Sequence, residues 1–340
     1  MSLRRGLAGA WVACAVMVFA AGCGSSDKGG SSSAGSGSST SIASSGGTKA
    51  KIAFLGYVDG GVPQSEIAGA REVADSVKQF TANFDPQKQN QQCVDAIQSR
   101  RYNAIMLAPV DPTSAKPCVT AAKAAKIPVV TMDFPVGNDV NSPEPQVDGV
   151  VGSVVWPYSS NADAVAALVK QACDGKSPCK VILSVATPTD RFTNDIGPAI
   201  TKNVPGAKLV QKIVTSYDAS LIPKTLPDAL TAHRDARVVV LTADNLAVAA
   251  LDVVKRAGLA GKVAIIGNGG STEGAALVRD GKLFGTTGNW PRQAGELAAK
   301  MLNDAVNGRK IAQPGVDQFK IDQPLLVTKE TVGQFKPEWR

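Results

Sequence analysis

The sequence has little of what most enzymes and metalloproteins depend on. Its only histidine among 340 residues is His233, in a polar Ala-His-Arg-Asp segment ahead of a strand. That setting suits a surface residue, not a general base. No GxGxxG or Walker phosphate cradle appears and no GxSxG elbow, so nucleotide cofactors and acyl-enzyme chemistry lack support. CxxC spacing is missing as well, and with one histidine a zinc site has no basis. Charge of one sign is also scarce. The net value is +7, with Arg4 and Arg5 contributing two, and the rest is scattered. Nucleic-acid binding needs a basic stripe or patch, and none is written here. The N-terminal apolar run, Leu7 to Phe19, is shorter than the ~20 residues of a membrane span.

Apolar residues make up 44% of the chain, enough for one or two cores and hence for two lobes. The first residues are an address label and not part of the fold. Arg4-Arg5 forms a charged region, Leu7 to Phe19 an apolar one, and Ala20-Ala21-Gly22-Cys23 ends in a cysteine after small residues. This resembles a bacterial lipoprotein signal over residues 1–22, in which Cys23 is lipidated and becomes the mature N-terminus. Ala20 departs from the larger aliphatic residue usual there, and plain secretion with cleavage nearby is the alternative. Gly/Ser-rich residues 23–49 read as a tether that cannot bury a core. Removing Cys14 and Cys23 leaves Cys93, Cys118, Cys173 and Cys179, which allow three pairings. Cys173 and Cys179 flank a short loop, and Cys93 and Cys118 fall on consecutive expected helices. Two disulfides are the economical reading for an exported chain.

The organising stretch is Tyr102 to Asp133. Tyr102 to Leu107 reads as a buried strand, bounded by Pro109, Asp111 and Pro112. Thr113 to Ala125 has helical spacing, with Thr113 or Ser114 able to cap its start. Ile127 to Met132 is a second β-branched run, closing on Asp133. Such a unit is a right-handed crossover between parallel strands, whose ligands bind beyond the carboxyl ends. The same alternation runs on either side. Lys51 to Tyr57 is a strand, Ser65 to Phe80 is expected as a helix with Ile67, Ala70, Val73, Ala74 and Val77 on one face, and Lys88 to Arg100 is another helix. After Val150 to Val155 the pattern repeats through Lys180 to Val185, Leu209 to Val214, Val238 to Leu241 and Val263 to Ile266, then Gly285 to Gly288 and a helix from Gln293 to Val306. The fold class is therefore α/β with two parallel sheets in two lobes.

Asp59, Asp85, Asp111, Asp133, Asp190 and Asp244 all fall at strand-to-helix turns. Carboxylates so placed could serve acid–base chemistry, but aspartate is equally a turn and capping residue, and Asp111 between valine and proline is the clearest turn residue. Tyr57, Phe134, Trp156 and Trp290 stand at strand ends facing the expected cleft, where aromatic faces stack on sugar C–H surfaces. Packing at the crossings competes with that role for Trp156 and Trp290.

The stretches KIAFLGY, AGARE, FDPQKQNQQCVDAI, YNAIMLAPVDP, AAKAAKIPVVTMD, VVVLTADNLAVAAL, VAIIGNGG and GTTGNWP, in this order, carry a family resemblance. From Ala50 to about Lys329 the chain resembles the type I periplasmic sugar-binding proteins, solute receptors of ABC importers of the ribose-binding kind. The resemblance implies a two-lobe periplasmic binding protein of type I with three crossing segments. It places the N-terminal lobe at 50–156 and 290–320, and the C-terminal lobe at 157–289 and 321–340. It also implies a monomer that closes over a small sugar or polyol without changing it, with no cofactor or metal, an ABC permease as partner, and a lipid anchor on the extracytoplasmic face. A sensory receptor signalling to a membrane histidine kinase is the alternative. Residue by residue, Asp133 matches the aspartate that holds sugar hydroxyls, Asp85 a polar asparagine, Asn289 a glutamine on a crossing strand, and Arg191 the arginine of the second lobe. Val62-Pro63 stand where ribose receptors have paired phenylalanines. Ala243 and Gly269 replace the second lobe's asparagine and aspartate, beside Asp244, Asn245 and Asn268. The implied ligand set is thus Tyr57, Asp59, Asp85, Asp133, Phe134, Trp156, Arg191, Asp244, Asn245, Asn268, Asn289 and Trp290, and it argues against ribose.

Overall fold

The computed structural model describes residues 47–340. The expected signal, Cys23 and most of the tether lie outside the described residues. In chain order the first elements are β1 (Lys51–Gly56), α1 (Gly61–Val73), β2 (Ser76–Thr81), α2 (Pro86–Gln98), β3 (Ala104–Leu107), α3 (Lys116–Ala124), β4 (Val129–Asp133), β5 (Val150–Val155) and α4 (Tyr158–Cys173). Next come β6 (Cys179–Val185), α5 (Arg191–Asn194), α6 (Ile196–Asn203), β7 (Ala207–Val214), α7 (Ile222–Ala232), β8 (Val238–Val240), α8 (Ala247–Arg256) and β9 (Ala264–Ile266). The last are α9 (Thr272–Arg279), β10 (Gly285–Thr287), α10 (Pro291–Val306), β11 (Gly315–Asp317) and β12 (Leu326–Thr328).

Two six-stranded sheets result, ordered β11-β5-β4-β3-β1-β2 and β12-β10-β9-β8-β6-β7. Every pairing is parallel except that of β10 with β12. Central strands such as Ala104–Leu107 and Val238–Val240 are buried along their whole length, as strands covered by helices on both faces must be. The chain passes between the sheets after β5, after β10 and after β11. All first-sheet strands run the same way, so Tyr57, Ala108, Phe134 and Trp156 follow strand ends on one edge. Among the described residues no helix is long and apolar enough to cross a membrane.

Two expectations are corrected. The helix read from Ser65 to Phe80 ends at Val73, and Ser76–Thr81 is the edge strand β2, in register with β1 from Lys51↔Ser76 to Gly56↔Thr81. Only Val77 of β2 is fully buried, so a mostly polar edge strand left the helical period uninterrupted in the sequence. The helix expected from Thr113 begins at Lys116. Asp111 Oδ1 accepts from the amides of Thr113 and Ser114, and that turn occupies the residues expected to cap. The sulfur atoms of Cys93 on α2 and Cys118 on α3 lie 2.04 Å apart, and those of Cys173 and Cys179, at the end of α4 and the start of β6, lie 2.01 Å apart.

The tightest packing in the first lobe is that of α1 on α10. A Cβ on Gly69 would fall 1.8 Å from the Arg292 carbonyl oxygen, and one on Gly295 would fall 1.9 Å from that of Glu66. Glycine at both positions lets the two backbones touch, which sets the height of α1 above the sheet. We expect Gly295→Ala to destabilise the fold by about 1–3 kcal/mol through overpacking, a fall of roughly 2–4 °C in melting temperature per kcal/mol for a chain of this size. Gly333→Ala, whose new methyl would meet nothing within 4 Å, is the control and should melt as the parent does. Equal melting of both variants would refute the close-packing account.

Candidate functional site

The site forms where strand ends of the first sheet meet α1. Strand β4 closes on Asp133 with φ of 60°, a left-handed backbone that residues other than glycine seldom adopt. Its side chain is fully buried. Gln318, in the single 3₁₀ turn after β11, donates from Nε2 to Asp133 Oδ1 at 3.3 Å and to the Val154 carbonyl at 2.8 Å. From the other side comes Glu66, in the second turn of α1 and also fully buried, with its carboxyl within hydrogen-bonding reach of Asp133. The Tyr57 hydroxyl, just past β1, lies beside both carboxyls.

No cation balances this pair. Among the described residues neither Glu66 nor Asp133 has a lysine or arginine partner. Both Glu66 oxygens, Asp133 Oδ2 and Gln318 Oε1 are buried without a hydrogen-bond donor from the protein. Burial raises the Glu66 carboxyl well above the usual carboxylate range, and the Asp133 charge beside it raises it further. Asp133 is raised by burial too, against the opposing pull of Glu66, Gln318 and Tyr57 close beside it. Two carboxyls in contact in a dry site hold a proton between them in preference to two negative charges.

Aromatic rings from both lobes wall this place. Tyr57 contacts Phe84 and Phe134, each at 5.7 Å between centroids. Phe134 meets Trp156, Tyr158 and Phe192 edge-on at 5.7, 6.0 and 5.4 Å. Val62, one turn before Glu66 on α1, packs against the same group along with Phe319 and Leu325. Tyr217, after β7 of the second sheet, is near enough to Tyr57 to raise it. Phe192 and Tyr217 belong to the second lobe, so the two lobes are closed over the carboxyls. Trp156 Nε1 donates to Asn289 Oδ1 at 3.3 Å, tying the first crossing segment to the second.

The expected residues divide into groups. Tyr57, Asp133, Phe134, Trp156 and Asn289 come together as described. Trp290 does not face the ring group. It is 1% exposed in the core of the second lobe, against Phe335. Asp244 is buried but fully engaged, accepting from Thr286 Oγ1 and from the Ser271 amide, each at 2.7 Å. Asn268 accepts from Thr287 Oγ1 at 2.5 Å, and exposed Asn245 donates to the Tyr217 carbonyl at 2.9 Å, which fixes the Tyr217 loop. Asp59 is exposed and holds Gln64, Asp85 caps α2 through the amides of Gln87 and Lys88, and Arg191 is exposed and paired with Asp195.

Sequence reasoning passed over Glu66, Gln318, Tyr158, Phe192 and Tyr217. For Glu66 a signal existed. It lies four residues before Ala70 and seven before Val73, on the apolar face of α1, where a charged residue calls for a reason. Two surface hollows of about 580 and 540 Å³ lie at the opposite, amino-end edge of the first sheet, lined by Tyr102, Lys126 and Ile127 and by Lys123, Arg309 and Pro314. They open far from these groups. Among the described residues no cluster of three or more His, Cys, Asp or Glu is placed to hold a metal.

The raised carboxyls make stability depend on pH, with a definite sign. A carboxyl whose value is higher folded than unfolded keeps its proton in the native state after the unfolded chain has released it. Its contribution is complete below the unfolded value, about 4.3 for glutamate, and declines as pH rises. Glu66→Gln removes the charge and keeps the shape. We expect this variant to melt above the parent at about pH 8 and to lose most of that advantage at about pH 5, read by circular dichroism. An advantage equal at both values would show that Glu66 stays ionised in the ligand-free protein.

With the geometry in hand, comparison with known proteins is consistent. The family model described as "Periplasmic binding protein domain" matches residues 64–310. The ribose import binding protein of Bacillus subtilis (strain 168) is 26% identical over 232 residues, covering 68% of this chain and 71% of that protein. Its counterpart in Salmonella typhimurium is 25% identical over 265 residues, covering 76% and 84%. A solute-binding protein of an ABC transporter from Mycobacterium smegmatis, solved with bound glycerol, superposes with a TM-score of 0.71 at 23% identity, over 86% of this chain and 99% of that one. The binding protein of an arabinose ABC transporter from Shewanella sp. ANA-3 gives 0.71 at 20% identity, over 84% and 93%. The family binds solutes and does not transform them. This chain, with two parallel-dominated lobes joined by three crossings, belongs to the periplasmic binding protein family and has its type I architecture.

Proposed function

We propose that this protein is the extracytoplasmic receptor of an ABC importer and that it binds a small sugar or polyol between its lobes. The observation that carries the reading is the group at the carboxyl ends of the first sheet: Asp133 and Glu66 with unpartnered acceptor oxygens, walled by Tyr57, Phe134, Trp156, Tyr158 and Phe192 from both lobes. Carboxyls take hydroxyl protons and rings cover C–H faces, which is the chemistry a polyhydroxylated ligand needs. The relatives are ribose import binding proteins, and structural neighbours were solved with glycerol or arabinose, which supports this class.

The mechanism is hinge closure. Asp133, Glu66 and Tyr57 stand on one lobe, Phe192 and Tyr217 on the other, so only the closed form offers a ligand all of its contacts. A ligand that fits both shifts the population toward closure, and the closed surface is what a permease reads. The Trp156–Asn289 bond sits on the crossings about which the lobes turn. Cys23 carries the lipid that holds the receptor at the membrane, the tether gives it reach, and the pairs Cys93–Cys118 and Cys173–Cys179 are disulfides.

A panel of pentoses, hexoses, their amino derivatives and short polyols, followed by tryptophan fluorescence and thermal shift, tests the binding. At least one member should saturate, and Asp133→Asn should weaken it by about tenfold or more, the loss expected for a charged hydrogen-bonding partner. Silence across the panel would reject the ligand class. Separately, Cys23→Ser should move the protein from the membrane fraction to the soluble one. An unchanged membrane fraction would remove the lipid anchor from the reading.

A further inference from the structure

Resting on the receptor reading above, we infer that the preferred ligand bears a positive charge: a protonated amine on a sugar or polyol frame, with its ammonium received by Glu66 and Asp133. The argument is one of matching donors to acceptors. Four buried oxygens here lack a donor from the protein, namely both of Glu66, Oδ2 of Asp133 and Oε1 of Gln318. Donors are few among them: Gln318 Nε2 is spent on Val154 and Asp133, which leaves the Tyr57 hydroxyl and the proton that the carboxyls share. An ammonium group has three donors and no acceptor. Three of these four oxygens can each take one of its protons, and it brings no acceptor that needs a donor in return. A hydroxyl brings an acceptor along with each donor, and in this corner the Tyr57 hydroxyl is the one protein donor left to meet it.

Charge and surroundings point the same way. The pair is fully buried, and among the described residues it has no basic partner. The groups that face it are Tyr57 from the end of β1, Gln318 from the turn after β11 and, through Tyr57, Tyr217 from the second lobe. Each is neutral at ordinary pH, since burial raises both tyrosines. Arg191, the cation expected near the ligand, is exposed and held by Asp195. Tyr57 and Phe134 add ring faces beside the carboxyls, and rings draw cations out of water. Val62 and Glu66 share one face of α1, and Val62 packs on the ring group, so the carboxyl lies on the side of the helix that meets that group and not on the far side.

The carboxyls would also report the ligand's charge. A neutral polyol leaves their shared proton in place. An ammonium displaces it, so binding the cation releases about one proton per ligand, and binding of the amine tightens as pH rises until the amine itself deprotonates. Matched pairs of probes separate the cases: glycerol against 2-amino-1,3-propanediol, and D-glucose against D-glucosamine, titrated calorimetrically at about pH 6.5 in buffers of different ionisation enthalpy. The amine of at least one pair should bind about tenfold tighter than its parent or more, with proton release, and Glu66→Gln should erase most of that preference. Melting of Glu66→Gln at or above the parent shows that it folds; should it not fold, Glu66→Asp in the same titration and the proton count in the parent decide the matter. Binding of the neutral members as tight as that of the amines, without proton release, overturns the inference and leaves the receptor reading standing. If no member of either pair and no sugar or polyol of the wider panel binds, both fall.

Discussion

Glu66 reaches Asp133 because α1 and α10 touch backbone to backbone. Gly69 and Gly295 remove the only atoms that would hold the helices apart, with a Cβ at either meeting a carbonyl oxygen at under 2 Å. Lift α1 by the width of a methyl group and its second turn leaves the end of β4. The pairing of two carboxyls in a dry place is unfavourable in itself. It persists because packing energy spread along a 13-residue helix and a 16-residue helix outweighs one local penalty. In this way the least stable contact of the site is underwritten by the most rigid contact of the lobe.

The same helix pair carries the geometry further. Backbone amides at the start of α10, those of Arg292 and Gln293, are accepted by Glu338, and the Glu338 carbonyl accepts from Ser65 of α1. Trp339 then donates to the Gly269 carbonyl and accepts from Thr272 in the second lobe. The last residues of the chain therefore bridge α1, α10 and the loop ahead of α9. Together with the Trp156–Asn289 bond, this joins the two lobes at the hinge side as well as over the carboxyls. Hinge segments with several discrete hydrogen bonds favour a few defined lobe positions over continuous bending.

Much of this architecture was legible in the sequence, and what was not has physical reasons. Buried parallel strands are uniformly apolar, so Tyr102 to Leu107, Ile127 to Met132 and Val238 to Leu241 announced themselves, and the aspartate at the end of β4 followed. Strand β2 was hidden because an edge strand with one buried residue has no period of its own to display. Within the site the legible residues were those at strand ends, Tyr57, Phe134 and Trp156, whose position follows from topology alone. Gln318 lies 185 residues from Asp133 and Phe192 comes from the other lobe; such partners are set by tertiary packing, which no local period encodes. Arg191 is a different case. The resemblance placed it by the ligand, while an aspartate four residues on, at helical spacing, gives it a nearer partner.

Asp244 makes the clearest comparison with Asp133, since the two share burial and differ in partners. Both carboxyls are wholly buried and raised by it. Asp244 has Thr286 on one oxygen and the Ser271 amide on the other, and Gly267 and Gly274 let the backbone close around it, with a Cβ at either falling 2.2 Å from one of its oxygens. Its hydrogen-bonding capacity is met from within, and it serves to fix the loop after β9 against β10. Asp133 has one long bond from Gln318 and an acidic neighbour. A buried polar group that the fold leaves short of partners costs stability in every ligand-free molecule, so its retention needs a compensating partner from outside. Counting donors, and not counting carboxylates, therefore separates the aspartate that is satisfied within the second lobe from the one in the first whose acceptors exceed its donors.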